Sequence, residues 1–238
     1  MRRILILGAS SGLGKYLANA YINKGDIVGI GARRVEELEK IKAQSPQTVF
    51  SKEIDVSIPE AKDRVEELIK EMGGMDVFIY CSGFGKVNPS FDFKIEKNTI
   101  DVNINGFILL VNYAYKYFQE KGEGQIVNIS SVAATREFGA SASYCASKKF
   151  QLMYFNSLRK LARNDKFKLT VTNIQPGFIK TDFLERQNYP LVVSLEKGGR
   201  LIFRAIEKKK ARAYIPGFWR LIAFIWLCIP NIIWKRMI

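Results

Sequence analysis

The stretch RILILGASSGLG, residues 3–14, carries the strongest structural signal in the chain. Its mainly apolar first half predicts a buried strand, and the periodic segment from residue 12 onward predicts a helix. Glycines at 8, 12 and 14 allow a tight turn and leave room for a phosphate at the start of the helix. A glycine-rich turn without a ligand is the alternative. We predict that the contacts to a phosphate-bearing cofactor come from Gly8, Ser10, Ser11, Gly12, Leu13 and Gly14.

The alternation of short apolar runs with longer segments of helical period continues along the chain. Further strands are predicted near 27–31, 48–54, 76–80, 125–130, 169–174 and 212–215, and helices near 12–24, 35–44, 60–72, 94–121, 144–163 and 196–209. Runs such as DVFIY and QIVNIS are too apolar for a sheet with one wet face, so we expect helices on both faces. The sequence predicts a single doubly wound, Rossmann-type α/β domain with a parallel sheet of about seven strands.

Composition excludes several kinds of site. The 238 residues contain no histidine, which excludes Ser-His-Asp catalysis and every His-ligated metal site. Cys81, Cys145 and Cys228 show no C-x-x-C spacing, so we expect neither a disulfide framework nor a metal site. The net charge of +14 suits nucleic acid, an anionic membrane or a phosphorylated cofactor, but no nucleic-acid motif appears. With no signal-peptide pattern, the cytoplasm is the expected compartment.

A tyrosine stands four residues before a lysine twice, at Tyr144/Lys148 and at Tyr117/Lys121. Each pair would share one face of a helix. Only the first has a functional context, because a strong strand and then Ser131 precede Tyr144 by thirteen residues. The loop between them lets a strand end and a helix start face one crevice, where ligands sit in open α/β sheets. We therefore interpret Tyr117/Lys121 as a structural pair.

Each member of the selected set has a chemical reason. If the cofactor at the glycine turn is a hydride donor, reduction of a carbonyl would leave an alkoxide that needs a proton, which Tyr144 could donate. The ordinary tyrosine pKa is about 10, and the ammonium of Lys148 would lower it. Ser131 could bind the carbonyl oxygen and stabilise the developing charge.

The second strand ends in GIGARRVEEL, residues 29–38, with two arginines where an NAD site would place a carboxylate. A guanidinium pairs well with a 2′-phosphate, so we predict NADP(H) as the cofactor. Arg33 is the preferred contact and Arg34 supports it. Two solvated arginines at a helix start are the alternative.

Taken together, these motifs resemble the short-chain dehydrogenase/reductase family. The turn has that family's G-x-x-x-G-x-G spacing, although Leu7 stands where threonine is usual, and Ser131, Tyr144 and Lys148 match its catalytic residues in order and spacing. YCSGFG, residues 80–85, replaces the usual N-N-A-G but keeps Gly83.

The resemblance also implies roles for residues elsewhere in the chain. Asn103 would help hold a water that links Lys148 to solvent, and Lys148 would also bond the nicotinamide ribose. Further cofactor contacts would come from Asp55 and Val56 at the adenine, Gly83, Tyr144, and Pro176, Gly177, Ile179 and Thr181 near the nicotinamide. Relatives often pair through two helices, so residues 107–118 predict a homodimer or homotetramer.

The C-terminal segment, called the tail below, differs from what is usual in the family. Residues 194–238 carry ten Lys/Arg and two acidic residues, and their unbroken apolar run, 221–229, is too short to span a bilayer. One interpretation is a helix buried in a subunit interface or over the substrate cleft. The other is a membrane-surface anchor through residues 208–238, with Trp219, Trp226 and Trp234 near lipid headgroups. We expect residues 1–193 to form the cofactor-binding and catalytic core, and residues 194–238 to add a substrate-side helix, the last strand and this tail.

These observations predict an NADP(H)-dependent oxidoreductase that interconverts a ketone or aldehyde and an alcohol, acting on a small apolar or lipid-like molecule. Residues 184–203 are expected to form one wall of the substrate pocket. A non-catalytic NADP-binding sensor or scaffold on the same fold is the main alternative. Epimerisation or dehydration would keep the fold but has no extra acid–base pair in the sequence.

Overall fold

The computed structural model describes residues 1–165, 167–184 and 189–237. The strands are β1 (Arg3–Leu7), β2 (Ile27–Ala32), β3 (Val49–Glu53), β4 (Val77–Tyr80), β5 (Glu123–Ile129), β6 (Lys168–Pro176) and β7 (Arg212–Ile215). The helices are α1 (Gly12–Asn23), α2 (Val35–Lys42), α3 (Ala61–Glu71), α4 (Phe93–Ile100), α5 (Gly106–Lys121), α6 (Ala142–Asn164), α7 (Leu195–Glu207), α8 (Trp219–Cys228) and α9 (Asn231–Trp234).

Within these described ranges the sheet has seven strands in the order β3-β2-β1-β4-β5-β6-β7, all parallel. The chain starts at β1, winds outward to β3, and returns to β4 on the other side of β1. Ligands of open α/β sheets bind at such a reversal, outside the carboxyl ends of the strands. The predicted doubly wound α/β fold is confirmed.

Two apolar layers hold the helices to the sheet. One contains Leu5, Phe78 and Ile126 together with side chains of α3, α5 and α6. The other contains Ile6, Val127 and residues of α1 and α7. Neighbouring residues of one strand thus enter opposite layers, which explains why the strand sequences are almost continuously apolar.

The long helix predicted near 94–121 is interrupted. A π-helical turn, Asp101–Asn105, joins α4 to α5, and such turns widen the helix locally. Asn103 on this turn is fully buried, whereas Asn105 is exposed and bonds to Asp101. Gly106 follows, and a Cβ there would overlap the carbonyl oxygen of Val56, so glycine allows α5 to start against the segment that follows β3.

The tail forms two short helices after β7. In the described part of the chain, no helix combines the length and the apolar character needed to cross a bilayer. β7 hydrogen-bonds to β6 in the common sheet. The division of the chain at residue 193 stays a prediction.

Candidate active site

A cleft of about 890 Å³ opens at the carboxyl ends of the strands. It is lined by the turn after β1, the ends of β2 to β6 and the first two turns of α6. The individually predicted cofactor and catalytic residues line it, except Asn103, which lies behind it. These residues are Gly8, Ser10, Ser11, Gly12, Leu13, Gly14, Arg33, Arg34, Asp55, Val56, Gly83, Ser131, Tyr144, Lys148, Pro176, Gly177, Ile179 and Thr181.

The turn after β1 requires its glycines. Gly8 and Gly12 have φ values of +84° and +52°, which side chains rarely tolerate. A Cβ at Gly8 would also lie 2.7 Å from the backbone nitrogen of Ser82, and one at Gly14 would overlap the Gly8 carbonyl. The start of α1 is therefore bare backbone facing the cleft, a cradle suited to the phosphates of a dinucleotide.

The two arginines after β2 flank this cradle differently. Arg34 donates through Nη2 to the hydroxyls of Ser10 and Ser11, at 3.0 and 2.6 Å. Arg33 is exposed and lines both the cleft and an adjoining recess. That recess also contains Lys15 and the carboxylates Glu36, Glu37 and Asp182. Arg34 is likewise exposed and lines both the cleft and the recess, and its hydrogen bonds hold it against the turn.

Tyr144 and Lys148 meet at the inner end of the cleft. The Lys148 Nζ lies 5.7 Å from the centroid of the Tyr144 ring. Nζ donates to the carbonyl of Ile129 at 3.3 Å and to Oε1 of Gln151 at 3.2 Å. Burial lowers the pKa of the Lys148 ammonium to about 8. Lys148 is therefore a buried amine that gains or loses its charge close to neutral pH.

Burial acts on Tyr144 in the opposite direction to the lowering expected from Lys148. It raises the pKa of the phenol to about 12, and a hydrogen bond with the Ser131 side chain only partly opposes this. The pKa rises because the phenolate of Tyr144 would lose solvation in the cleft. Lys148 offsets this loss only weakly, because burial disfavours its own charged form. At neutral pH the phenol is protonated, the form that can donate. Cys81 nearby has its thiol pKa raised to about 12 by burial, which fits a packed, unreactive thiol.

Asn103 binds protein groups behind the cleft. Its Oδ1 accepts from the backbone nitrogen of Phe84 at 2.8 Å, and its Nδ2 donates to the Phe84 carbonyl at 2.6 Å and to the Ser147 hydroxyl at 3.0 Å. The side chain thus ties the loop after β4 to α6. The main-chain carbonyl of Asn103 accepts from Nε2 of Gln151 at 2.9 Å. Gln151 thus connects the main chain at Asn103 to the Lys148 amine, whereas the predicted role of Asn103 in holding a water that links Lys148 to solvent stays a prediction.

The second Tyr/Lys pair lies elsewhere. The Tyr117 hydroxyl accepts from the backbone nitrogen of Met75 at 3.0 Å, and Lys121 donates to the Met75 carbonyl at 2.7 Å. Neither residue lines the cleft. The interpretation of Tyr117/Lys121 as a structural pair agrees with these contacts.

Comparison with known proteins identifies the family. The family model described as short chain dehydrogenase matches residues 2–190. The chain belongs to the short-chain dehydrogenase family. It is 31% identical to an uncharacterized oxidoreductase of Mycobacterium tuberculosis, over 97% of this chain and 95% of the relative. It is 30% identical to an 11-beta-hydroxysteroid dehydrogenase-like protein of Arabidopsis thaliana, over 97% of this chain and 78% of the relative.

The fold is shared with solved members of the family. A short-chain dehydrogenase from Sphingobium yanoikuyae, in complex with NADPH, superimposes with a TM-score of 0.82 at 19% identity, covering 97% of both chains. This likeness shows the shared fold, and the family match over residues 2–190 makes the chain an oxidoreductase.

The substrate side of this dehydrogenase is largely apolar and aromatic. Part of the wall expected from residues 184–203 is present, since Leu184 and Tyr189 line the cleft, whereas 185–188 lie outside the described residues. Trp226 of α8 also lines it. Further apolar lining comes from Val87, Val132, Ala133, Phe138, Ala140, Phe178 and Phe183.

The tail is held over this side by Arg136, a residue that the sequence did not single out. Its Nη1 donates to the carbonyls of Trp226 and Ile229, both at 3.1 Å, and its Nη2 donates to Oδ1 of Asn231 at 2.9 Å. The guanidinium also lies 4.7 Å from the ring centroid of Trp234. Arg136 thereby caps the end of α8 and fixes it to the loop that follows Ser131.

Of the two interpretations of the tail, the membrane-surface one placed all three tryptophans near lipid headgroups, and this position is wrong for Trp219 and Trp234. Trp219 and Trp234 are only 1% and 3% exposed, and Trp226 packs between them. They turn inward because each finds aromatic partners in the protein, including Phe138 and Phe178. The outward side of the tail instead presents other apolar residues: Phe218, Leu221, Phe224, Ile225, Leu227, Ile232, Ile233 and Met237.

Replacement of Arg136 should loosen the tail without unfolding the domain. Arg136→Met removes hydrogen bonds from a charged donor, so we expect backbone amides of 219–234 to exchange about 10-fold faster or more. Hydrogen exchange followed by mass spectrometry measures this. Arg200→Met, at an exposed arginine on α7, is the matched control and should leave those rates unchanged. Equal exchange in wild type and Arg136→Met would contradict the capping role.

Proposed function

We propose that this dehydrogenase is an NADP(H)-dependent carbonyl reductase that uses Tyr144 as the proton donor. The observation that carries the proposal is the convergence of the half-buried, protonated phenol of Tyr144, the buried ammonium of Lys148 and the Ser131 hydroxyl in one cleft. NADPH would supply the hydride. Ser131 would hold the carbonyl oxygen, Tyr144 would donate its phenolic proton to that oxygen, and the Lys148 ammonium would stabilise the resulting phenolate.

The preference for NADP(H) rests on charge at the turn. Arg34 bonds to Ser10 and Ser11, and both arginines line the adjoining recess, so a 2′-phosphate bound there would meet two guanidinium groups. Asp55 and Val56 would contact the adenine, and Gly83, Pro176, Gly177, Ile179 and Thr181 the nicotinamide half. A family relative of the same fold binds NADPH, which is consistent with this proposal.

An apolar substrate suits the aromatic lining from Phe138, Phe178, Tyr189 and Trp226. A relative's name, 11-beta-hydroxysteroid dehydrogenase-like, points to apolar substrates in that protein. The homodimer or homotetramer through residues 107–118 and the cytoplasmic location remain parts of the proposal. The alternative, a non-catalytic NADP-binding sensor or scaffold, would not require the Ser131, Tyr144 and Lys148 set.

We further propose that the outward side of the tail docks on an anionic membrane surface. Phe224 and Leu227 are 63% and 58% exposed, and the same helix supplies Trp226 to the cleft. The basic residues Arg220, Lys235 and Arg236 are also exposed beside the apolar set. An apolar surface with a cationic rim favours the interface of an anionic bilayer, and it would bring the cleft close to lipid-dissolved substrates.

The proton-donor role predicts the effect of Tyr144→Phe. The variant should bind NADPH almost as wild type does, yet lose kcat for a reducible aldehyde or ketone by at least about 100-fold, because no proton is donated. A panel of carbonyl compounds followed by NADPH oxidation finds the substrate and measures kcat. Tyr117→Phe, which removes the hydroxyl of the structural pair, is the control and should keep wild-type kcat. Retained turnover in Tyr144→Phe would refute the mechanism.

Cofactor preference depends on the two arginines. Arg33→Ala and Arg34→Ala should each raise the Kd for NADPH by about 10-fold to 100-fold, since a charge-assisted contact is lost, and change the Kd for NADH much less. Fluorescence titration of both cofactors measures the ratio. Lys40→Ala, at an exposed lysine further along α2, should leave it unaltered. Wild-type protein that binds NADH as tightly as NADPH would overturn the assignment.

Membrane docking predicts flotation with vesicles of phosphatidylcholine and phosphatidylserine. The double variant Phe224→Ser/Leu227→Ser should lose most of this binding, because it removes buried apolar area at the interface. Met153→Ser, which changes an exposed apolar residue on α6, should float like wild type. No flotation of the wild type with anionic vesicles would rule out the docking surface.

A further inference from the structure

Gln151 is a fully buried polar residue on α6, three positions after Lys148. That spacing places the two side chains on the same face of the helix. Its Oε1 accepts from the Lys148 Nζ at 3.2 Å, and its Nε2 donates to the main-chain carbonyl of Asn103 at 2.9 Å. A single carboxamide thus connects the buried amine to the π-helical turn.

The carboxamide sits where an apolar residue would otherwise pack. Two buried neighbours on α6, Leu152 and Phe155, are apolar, so the amide gains nothing from burial unless its polar atoms have partners. Both ends of Gln151 have them, and Asn128 adds a longer donation to Oε1 at 3.4 Å. The partners are an amine and a carbonyl that would themselves lose a bond if residue 151 were apolar.

Lys148 has three N–H donors when charged. Two of them point to the protein interior, at the carbonyl of Ile129 and at Gln151 Oε1. The third is left for the cleft, which Lys148 lines. The two interior acceptors therefore determine where the amine lies and how its remaining hydrogen is directed.

We propose that Gln151 is a positioning residue: its carboxamide fixes the Lys148 amine against the π-helical turn and supplies an oxygen that favours the ammonium form. This inference rests on the proposed function for the role of Lys148 in the reaction. Its contribution to the state of the amine can be measured without turnover.

Neutral oxygen atoms, rather than charged groups, stabilise the ammonium form of Lys148. Tyr144 on α6 and Cys81 after β4 face it, and both are protonated at neutral pH because burial raises their pKa values. Within the described residues no carboxylate forms an ion pair with it. Loss of Gln151 Oε1 would leave the ammonium with less compensation for its burial, so its pKa should fall further.

The test is NMR titration of lysine 13Cε signals in wild type, Gln151→Leu and Gln151→Glu, with Lys148 assigned through Lys148→Arg. In wild type, Lys148 should titrate well below the exposed lysines. In Gln151→Leu its pKa should fall by about one unit or more, and in Gln151→Glu it should rise, because the carboxylate favours the ammonium. The opposite signs keep the test decisive if the leucine variant folds poorly.

Gln125→Leu is the matched control. Gln125 is equally buried, but it lies on β5 and bonds to Thr172 and to the carbonyl of Ile206, away from the cleft. Its loss should lower stability without moving the Lys148 titration. With a working carbonyl substrate, Gln151→Leu should lower kcat by about 10-fold or more through misplacement of the amine, while folded Gln125→Leu keeps kcat.

An unchanged Lys148 pKa in both folded Gln151 variants would overturn the inference. A shifted pKa with unaltered kcat would overturn the positioning role in the reaction. A wild-type enzyme that reduces no carbonyl would contradict the proposed function instead, and the titration would still decide whether Gln151 controls the amine.

Discussion

A buried amine needs hydrogen-bond acceptors, and the elements at the centre of this cleft are held together by the bonds that satisfy the amine of Lys148. Lys148 is 3% exposed, and its two interior acceptors come from the end of β5 and from one turn further along α6. Gln151 in turn bonds to Asn103, whose side chain holds the loop after β4. The strand ends, the π-helical turn and α6 are thus connected through hydrogen bonds that converge on one nitrogen. Movement of any of these elements would change the environment of Lys148.

The same cleft is closed on its substrate side by a different kind of contact. Arg136 donates hydrogen bonds to the carbonyl groups at the end of α8, and its guanidinium lies over the Trp234 ring. These contacts join the tail to the loop between Ser131 and Tyr144. The tryptophans of the tail face inward, and its phenylalanine and aliphatic side chains face outward. This arrangement lets one short segment contribute both to the substrate wall and to the proposed membrane contact.

The fold could be predicted from the sequence because it depends on two local patterns, the alternation of strands with helices and the glycine turn after the first strand. Apolar runs with intervening helical periods define a doubly wound sheet, and the turn at residues 8–14 requires glycine for steric reasons that the structure makes explicit. The glycine turn and the arginines followed from their positions after strands, whereas the other cofactor contacts came from the resemblance to the family. Gln151 was not found, although its spacing from Lys148 was visible, because a lone glutamine in a helix carries no signal until its partners on other elements are known.

The tail was understood least well from its sequence. Its tryptophans suggested an interface with lipid, but their direction depends on Phe138, Phe178 and Arg136, which lie far away along the chain. The pKa of Tyr144 was likewise expected to fall, because sequence spacing reveals the neighbouring amine but not the burial that both groups share. Long-range packing and desolvation decided these points.

Isotope transfer tests directly whether the protein moves a hydride from NADPH to a carbonyl carbon with Tyr144 as the proton donor. Enzyme, NADPH deuterated at C4 of the nicotinamide and a panel of apolar ketones and aldehydes are incubated, and the product alcohols are analysed by mass spectrometry and NMR. With wild type we expect deuterium on the carbinol carbon of at least one product, and with Tyr144→Phe we expect it to appear at least about 100-fold more slowly. NADPH that binds tightly but transfers no deuterium to any carbonyl would contradict it and favour the non-catalytic alternative.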